Sequence, residues 1–555
     1  MHSLTWRLVV AAAAVSLSTV SALPQEHHPS LYTRSGKLKG VKREAFGRPV
    51  DVFYGIPYAV PPLGKLRFQR PIPVKPWKGF RDATQPPFPC KQPDFFVTRN
   101  YTVSAANSTE DCLYLNVWTP ARYCFDLFSC GLKAVMVYIY GGSFTYGSSS
   151  WSFYDGLHLA ASGDVVVVTF NYRVGMFGFL TTEIDGVTGN QGMHDQVLAL
   201  RWIKENIVYF GGSADLVTVF GQSAGAISVG YHVVSPLSKG LFKRAIMESG
   251  SPLWLLHDDR TNALRKSQTL ASALGCTKDF GKAISDPEVL ECMRNKNATE
   301  LLNVAAAALG PQAETFFPTD DGLFLAHNAD VLLDTMKSAD VDLLIGNNKN
   351  EGTFFVSNFL SRGLKFDNVE HITKDELGFY MLLFFRTLMR SGVSEIRDFY
   401  FGKFDSTDNT KVLQRGSDSI GDFIITCPSR FFAERYQSKG RSVYYYQFSH
   451  RPSFSIWPPW MGTTHFDEFP FVFGHAMAFP ELVTAEESML SRHLVHVWTT
   501  FAKTGKMPTL GKHAWPKYTK AGPYLMDISL KNFTIRKGPQ EENCRFWRRY
   551  FAGGI

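Results

Sequence analysis

Residues 216–234 read LVTVFGQSAGAISVGYHVV. Leu216 to Phe220 has the apolar, β-branched character of a buried strand, and it runs straight into Gly221-Gln222-Ser223-Ala224-Gly225. The apolar stretch that follows fits a buried helix. A strand, a sharp turn and a helix in that order lift a serine hydroxyl above the edge of a sheet. The helix N-terminus then directs backbone N–H groups toward developing negative charge. The five letters alone are weak, because a chain this long yields about 0.2 such matches by chance. GGSAD at 211–215 is a near miss. The flanks single out Ser223 as candidate nucleophile and point to an α/β fold.

Working outward, further runs rich in Val, Ile and aromatics predict buried strands at 134–140, 164–172, 341–346 and 442–448. Segments of helical period lie at 193–207 and 486–505, the second ending on Gly505 as a C-cap. Strands alternating with helices predict a large, mostly parallel sheet flanked by helices. No linker or composition break divides residues 23–555, so one domain with long insertions is expected.

A serine nucleophile requires an oxyanion hole, a general base and an acid to orient the base. Gly141-Gly142-Ser143 follows the strand at 134–140 and supplies a glycine loop. Glu351 lies just past the strand at 341–346, and His465 in a loop after the strand at 442–448. The chain order Ser, Glu, His is the one a nucleophile turn of this kind calls for, although spacing alone does not select one histidine of fifteen.

The first 22 residues carry one Arg, an apolar run and a small-x-small Val20-Ser21-Ala22, the pattern of a cleaved secretory signal peptide. No later stretch is long and apolar enough to span a bilayer, so a secreted, soluble protein is expected. Eight cysteines fit disulfides in an extracellular protein, and no Cys/His spacing suits zinc. Sequons at Asn100, Asn107, Asn297 and Asn532 are candidate glycosylation sites. The net charge of +8 is mild. The densest basic stretch, residues 34–43, lacks stacking aromatics and reads as a solvated strand face, not a nucleic-acid site.

Ordered blocks from about residue 30 to 550 resemble the type-B carboxylesterase and cholinesterase family of α/β hydrolases. They include YGIPYAVPPLGKLRFQRP, EDCLYLNVWTP, VYIYGGSF, FNYRVGMFGFL, NQGMHDQVLALRWIKENIVYFGGSADLVTVFGQSAG, AIMESGSP, NEGTFF and GTTHFDEFPFVFG. The resemblance implies Ser223 as nucleophile, His465 as acid/base and Glu351 as its orienting acid. It implies an oxyanion hole from the N–H groups of Gly142, Ser143 and Ala224, with Ser249 and Gln222 as neighbours of the triad. It also implies disulfides Cys90–Cys112, Cys276–Cys292 and Cys427–Cys544, leaving Cys124 and Cys130 for a local bridge. Arg67 with Glu110, and Arg173 with Asp195, resemble structural ion pairs. No cofactor or metal is implied, and the partner is a small-molecule ester.

Three departures bear on the ester. Ser143 stands where many relatives carry glycine. Gln222 stands where most carry glutamate, as in the GQSAG of insect juvenile hormone esterases. The stretch between Cys90 and Cys112 has no tryptophan for holding choline, though Phe95, Phe96 and Tyr101 are present, and Phe316 and Phe317 remain near the expected acyl pocket. The expectation is an esterase for neutral, fairly hydrophobic substrates, with a juvenile-hormone-esterase-like or cholinesterase-like hydrolase as the alternatives within the family. The neuroligins, adhesion relatives that lack the nucleophile, are the rival class; the complete Ser, Glu, His set argues against them.

Overall fold

The computed structural model describes residues 28–551, apart from 99–100, 121–130, 255–257, 278–281, 311–315, 337–339, 364–371, 390–391, 405 and 511–512. The expected signal segment 1–22, the Cys124–Cys130 bridge and Asn100 lie outside the described residues.

The largest sheet has eleven strands. In chain order these are β1 (Val41–Ala45), β2 (Arg48–Pro57), β3 (Tyr114–Pro120), β4 (Lys133–Ile139), β5 (Val166–Phe170) and β6 (Gly212–Gln222). Then follow β7 (Arg244–Glu248), β8 (Asp342–Asn348), β9 (Val443–Phe448), β10 (Tyr524–Ile528) and β11 (Phe533–Lys537). Their spatial order is β1-β2-β3-β5-β4-β6-β7-β8-β9-β10-β11. From β5 to β10 every pairing is parallel, and the outer pairings on both sides are antiparallel.

All five residues of β5 are buried, as are all of β7 and β9. That is the signature of parallel strands covered on both faces, and it explains why β5 and β9 read as apolar runs, whereas β7, which buries Arg244 and Glu248, is not among the strands expected from sequence. The covering helices include α1 (Gln191–Asn206), α2 (Ala224–Val234), α3 (Gly352–Gly363) and α4 (Ala485–Thr504). Helix α4 buries Leu490, Leu494, Val497, Trp498 and Phe501 along one stripe, each worth about 1.5–3 kcal/mol of burial. Gly505 ends it with φ 71°, a left-handed conformation that glycine adopts at no steric cost. One contiguous core runs from Leu38 to Tyr550, as expected for a single domain.

The three expected disulfides form: Cys90–Cys112, Cys276–Cys292 and Cys427–Cys544. Arg67 is bidentate to Glu110, at 2.7 and 2.6 Å, and also donates to the carbonyl of Arg294 at 2.8 Å. Arg173 and Asp195 pair in the core at 2.8 and 2.7 Å. Both pairs are scaffold. In the basic stretch, the fold brings Tyr32 and Phe80 to within 4.7 and 5.3 Å of Lys37, so that face does carry aromatics, borrowed from elsewhere in the chain.

Candidate active site

The parallel strands end at one edge of the sheet, the edge where open α/β sheets place their ligands. Gly141-Gly142-Ser143 lies just past the end of β4, and Ser223 directly follows β6. Glu351 comes three residues after β8, and the loop bearing His465 follows β9.

Ser223 is the residue before α2 and has φ 58° and ψ −125°. A residue with a side chain rarely adopts this conformation, so the surroundings must hold it. Its N–H donates to the carbonyl of Glu248 at 2.9 Å, and its carbonyl accepts from Ile227 N–H at 2.9 Å. A Cβ on Gly225 would lie 2.0 Å from the carbonyl oxygen of Ile139. The motif's last glycine is therefore demanded by the close approach of α2 to β4. Gly141 is constrained likewise: a Cβ there would lie 2.6 Å from the Gln222 carbonyl and 2.9 Å from Ser223 Cβ.

The glycine loop is thus seated against the Ser223 turn. Its anchor is a reciprocal pair. Tyr140 donates to the Tyr172 carbonyl at 2.8 Å, Tyr172 donates to the Tyr140 carbonyl at 2.9 Å, and their rings stack at 4.4 Å. Gly142, Ser143 and Phe144 all have positive φ, at 107°, 55° and 58°. The N–H groups of Gly142 and Ser143 enter no hydrogen bond among the described contacts.

His465 Nδ1 lies 2.6 Å from Glu351 Oε2, both residues being buried. The other Glu351 oxygen accepts from Asn348 N–H at 2.7 Å. The carboxylate therefore takes the imidazole Nδ1–H, leaving Nε2 as an acceptor. The two loops are stitched together around this contact. Asn350 N–H donates to the Thr463 carbonyl at 2.9 Å, and Asn348 Nδ2 donates to that of Thr464 at 2.7 Å. Thr353 Oγ1 lies 2.8 Å from Thr464 Oγ1. The rings of Phe354 and Phe355 pack against the imidazole at 5.6 and 5.2 Å.

The partner of His465 Nε2 is the side-chain amide of Gln222, 3.1 Å away, and not Ser223 Oγ. With Nε2 as acceptor, the amide N–H donates. Ser249 is buried at φ 56°, but its hydroxyl bonds to nothing among the described residues. Trp254 is buried too, its ring 5.0 Å from Phe317 and 6.0 Å from Phe144; Phe316 is also buried. The backbone of Phe95, Phe96 and Tyr101 forms a hairpin between Cys90 and Cys112. Asn107, Asn297 and Asn532 are exposed. No cluster of candidate metal ligands occurs among the described residues.

Sequence reasoning missed the buried carboxylates beneath this site. Asp467 and Glu468 stand two and three residues past His465. Glu468 accepts from Asn348 Nδ2 at 2.5 Å in full burial. Burial, then the charge on Glu351, push its carboxyl up to about 7. Glu248 is also fully buried, with Trp498 N–H donating to it at 2.5 Å. A glutamate closing the apolar strand RAIME was the available signal.

The Carboxylesterase family model matches residues 27–547. An acetylcholinesterase-1 of Trittame loki is 35% identical over 534 residues, covering 94% of each chain. An acetylcholinesterase of Leptinotarsa decemlineata is 33% identical over 558 residues, covering 93% of this chain and 85% of its own. The chain belongs to the carboxylesterase family. Its fold is that of the α/β hydrolases and its reaction is serine-dependent hydrolysis of carboxylic esters.

Proposed function

We propose that Ser223, His465 and Glu351 form the catalytic triad of a secreted esterase acting on neutral, fairly hydrophobic esters. The observation that carries the triad is the 2.6 Å contact of His465 Nδ1 with Glu351, its Nε2 directed to the nucleophile turn. In the reaction, substrate entry exchanges the Gln222 amide at Nε2 for the Ser223 hydroxyl. His465 takes that proton as Oγ attacks the ester carbonyl. The oxyanion is received by the N–H groups of Gly142, Ser143 and Ala224. His465, its positive charge stabilised by Glu351, returns the proton to the leaving alcohol. Water then releases the acid from Ser223 by the same steps in reverse order. The exposed Asn107, Asn297 and Asn532 fit glycosylation of a secreted chain, with residues 1–22 as its signal.

The preference for neutral esters rests on Gln222, which sets an amide beside the imidazole where a carboxylate would attract cations. A second reading, a choline esterase, is favoured by two curated relatives being acetylcholinesterases. It is also favoured by Phe354 lying 5.7 Å from Trp457 beside His465, an aromatic pair able to face a cation. The two readings separate in one comparison, acetylthiocholine against its uncharged isostere 3,3-dimethylbutyl thioacetate. The first predicts kcat/KM for the isostere equal to or above that for acetylthiocholine. An advantage of tenfold or more for acetylthiocholine, about 1.4 kcal/mol, contradicts it and establishes the second.

A further inference from the structure

At the level of the nucleophile turn, one rung of the sheet carries Gln222, Glu248, Gly346 and Tyr446 as register partners on β6, β7, β8 and β9. A Cβ on Gly346 would lie 2.2 Å from the Tyr446 ring. The missing side chain thus lets that ring cross the strand toward Glu248, with which Tyr446 is electrostatically coupled. Glu248 is tied to the active site twice. Its carbonyl holds the Ser223 N–H, and its buried carboxyl interacts electrostatically with the buried Glu468, which in turn interacts with Glu351 and His465.

The hydrogen bonding of the Glu248 carboxyl is unlike that of an ion. Oε1 accepts one N–H, from Trp498, and Oε2 accepts from nothing among the described residues. An ionised carboxylate offers about four acceptor sites, and burying one without donors or a cation costs several kcal/mol. The charged and titratable groups facing it are Glu468 from the His465 loop, Tyr138 from β4 and Tyr446 from β9; none is a cation. Glu468 faces Glu351 and His465, with Asp467 adjacent in the chain. Only the imidazole in this set can carry positive charge, and it is already paired with Glu351.

We propose that Glu248 is an un-ionised glutamic acid in the folded enzyme at neutral pH, a positioning residue that ties the nucleophile turn to the buried rung without adding charge beneath His465. Burial and the neighbouring charge of Glu468 act in the same direction, holding the Glu248 carboxyl well above the usual range. Glu468, whose carboxyl stands at about 7, is then the more readily ionised member of the pair. The assignment concerns this chain's own protonation and is independent of which ester is hydrolysed.

The sign of the linkage sets the test. The unfolded chain releases the Glu248 proton above about pH 4.3, whereas the folded protein keeps it. Folding therefore takes up one proton, and this contribution to stability falls as pH rises. Glu248→Gln carries no such proton. Urea unfolding of the two proteins at pH 5.5, 6.5 and 7.5 reads the difference. The wild-type folding constant, relative to E248Q, is expected to fall about tenfold per pH unit, roughly 100-fold over the range. A ratio that stays constant with pH means an ionised Glu248 and overturns the proposal; a purely structural effect of the substitution also gives a constant ratio. Glu248→Met provides the same comparison if E248Q does not fold. Failure of both neutral variants to fold, with the wild type folding, shows that a carboxylate is required and also overturns it.

Discussion

His465 has two ring nitrogens, and Gln222, the partner of its Nε2, bears most directly on which ester the site attracts. An amide at 3.1 Å donates to neutral imidazole without contributing charge. Glutamate at the same position could only accept, and would place a negative charge within a few ångströms of the reacting atoms. The Coulomb energy between that charge and a cationic head group is about 1 kcal/mol across a solvated pocket. Gln222→Glu is accordingly expected to lower KM for acetylthiocholine roughly fivefold at low salt, with little change for the uncharged isostere. Equal shifts for both substrates would show that residue 222 acts on the chemistry and not on charge recognition.

Among the elements, α4 shows how a cap joins local and tertiary order. Thr484 and Glu487 form a capping box. Glu487 also accepts from His450 Nε2 at 2.8 Å, Ser453 N–H at 2.6 Å and Ser453 Oγ at 2.5 Å. Thr484, followed three residues later by Glu487, has a capping-box spacing that is legible in the chain, though the helical segment expected at 486–505 starts past it. Its service to the segment leaving β9 is not, because that depends on where the segment returns. Burial raises the Glu487 carboxyl, but the bonds from His450, Ser453 and Thr484 outweigh it and hold it at about 2. A depressed carboxyl contributes stability above its unfolded value near 4.3 that is lost as pH falls toward 2. Glu487→Gln is therefore expected to be less stable than wild type at pH 6, with the gap closing by pH 2.5 in denaturant titrations. A gap independent of pH would show that the side chain acts by packing alone.

Across the whole molecule, what was legible is what local chemistry decides. Gly221 to Gly225 between a strand and a helix single out Ser223 as the candidate nucleophile because the turn's demands are met within a few residues. Most of the parallel strands were visible because burial on both faces makes them largely apolar; β7, with Arg244 and Glu248, and β10, with Asp527, were not. The rung Gln222, Glu248, Gly346 and Tyr446 was not visible, since it exists only once four strands distant in the chain take their register. The proximity of Tyr32 and Phe80 to Lys37 was hidden for the same reason.

The molecule's central assignment is Ser223 as nucleophile, and the most direct measurement is active-site labelling of the folded protein and Ser223→Ala with a fluorophosphonate, read by intact mass alongside ester hydrolysis. One adduct per wild-type chain is predicted, none on the variant, and a loss of hydrolysis on the order of 10⁴–10⁶ in kcat. Labelling of Ser223→Ala at the wild-type rate, or hydrolysis within tenfold of wild type, would contradict it.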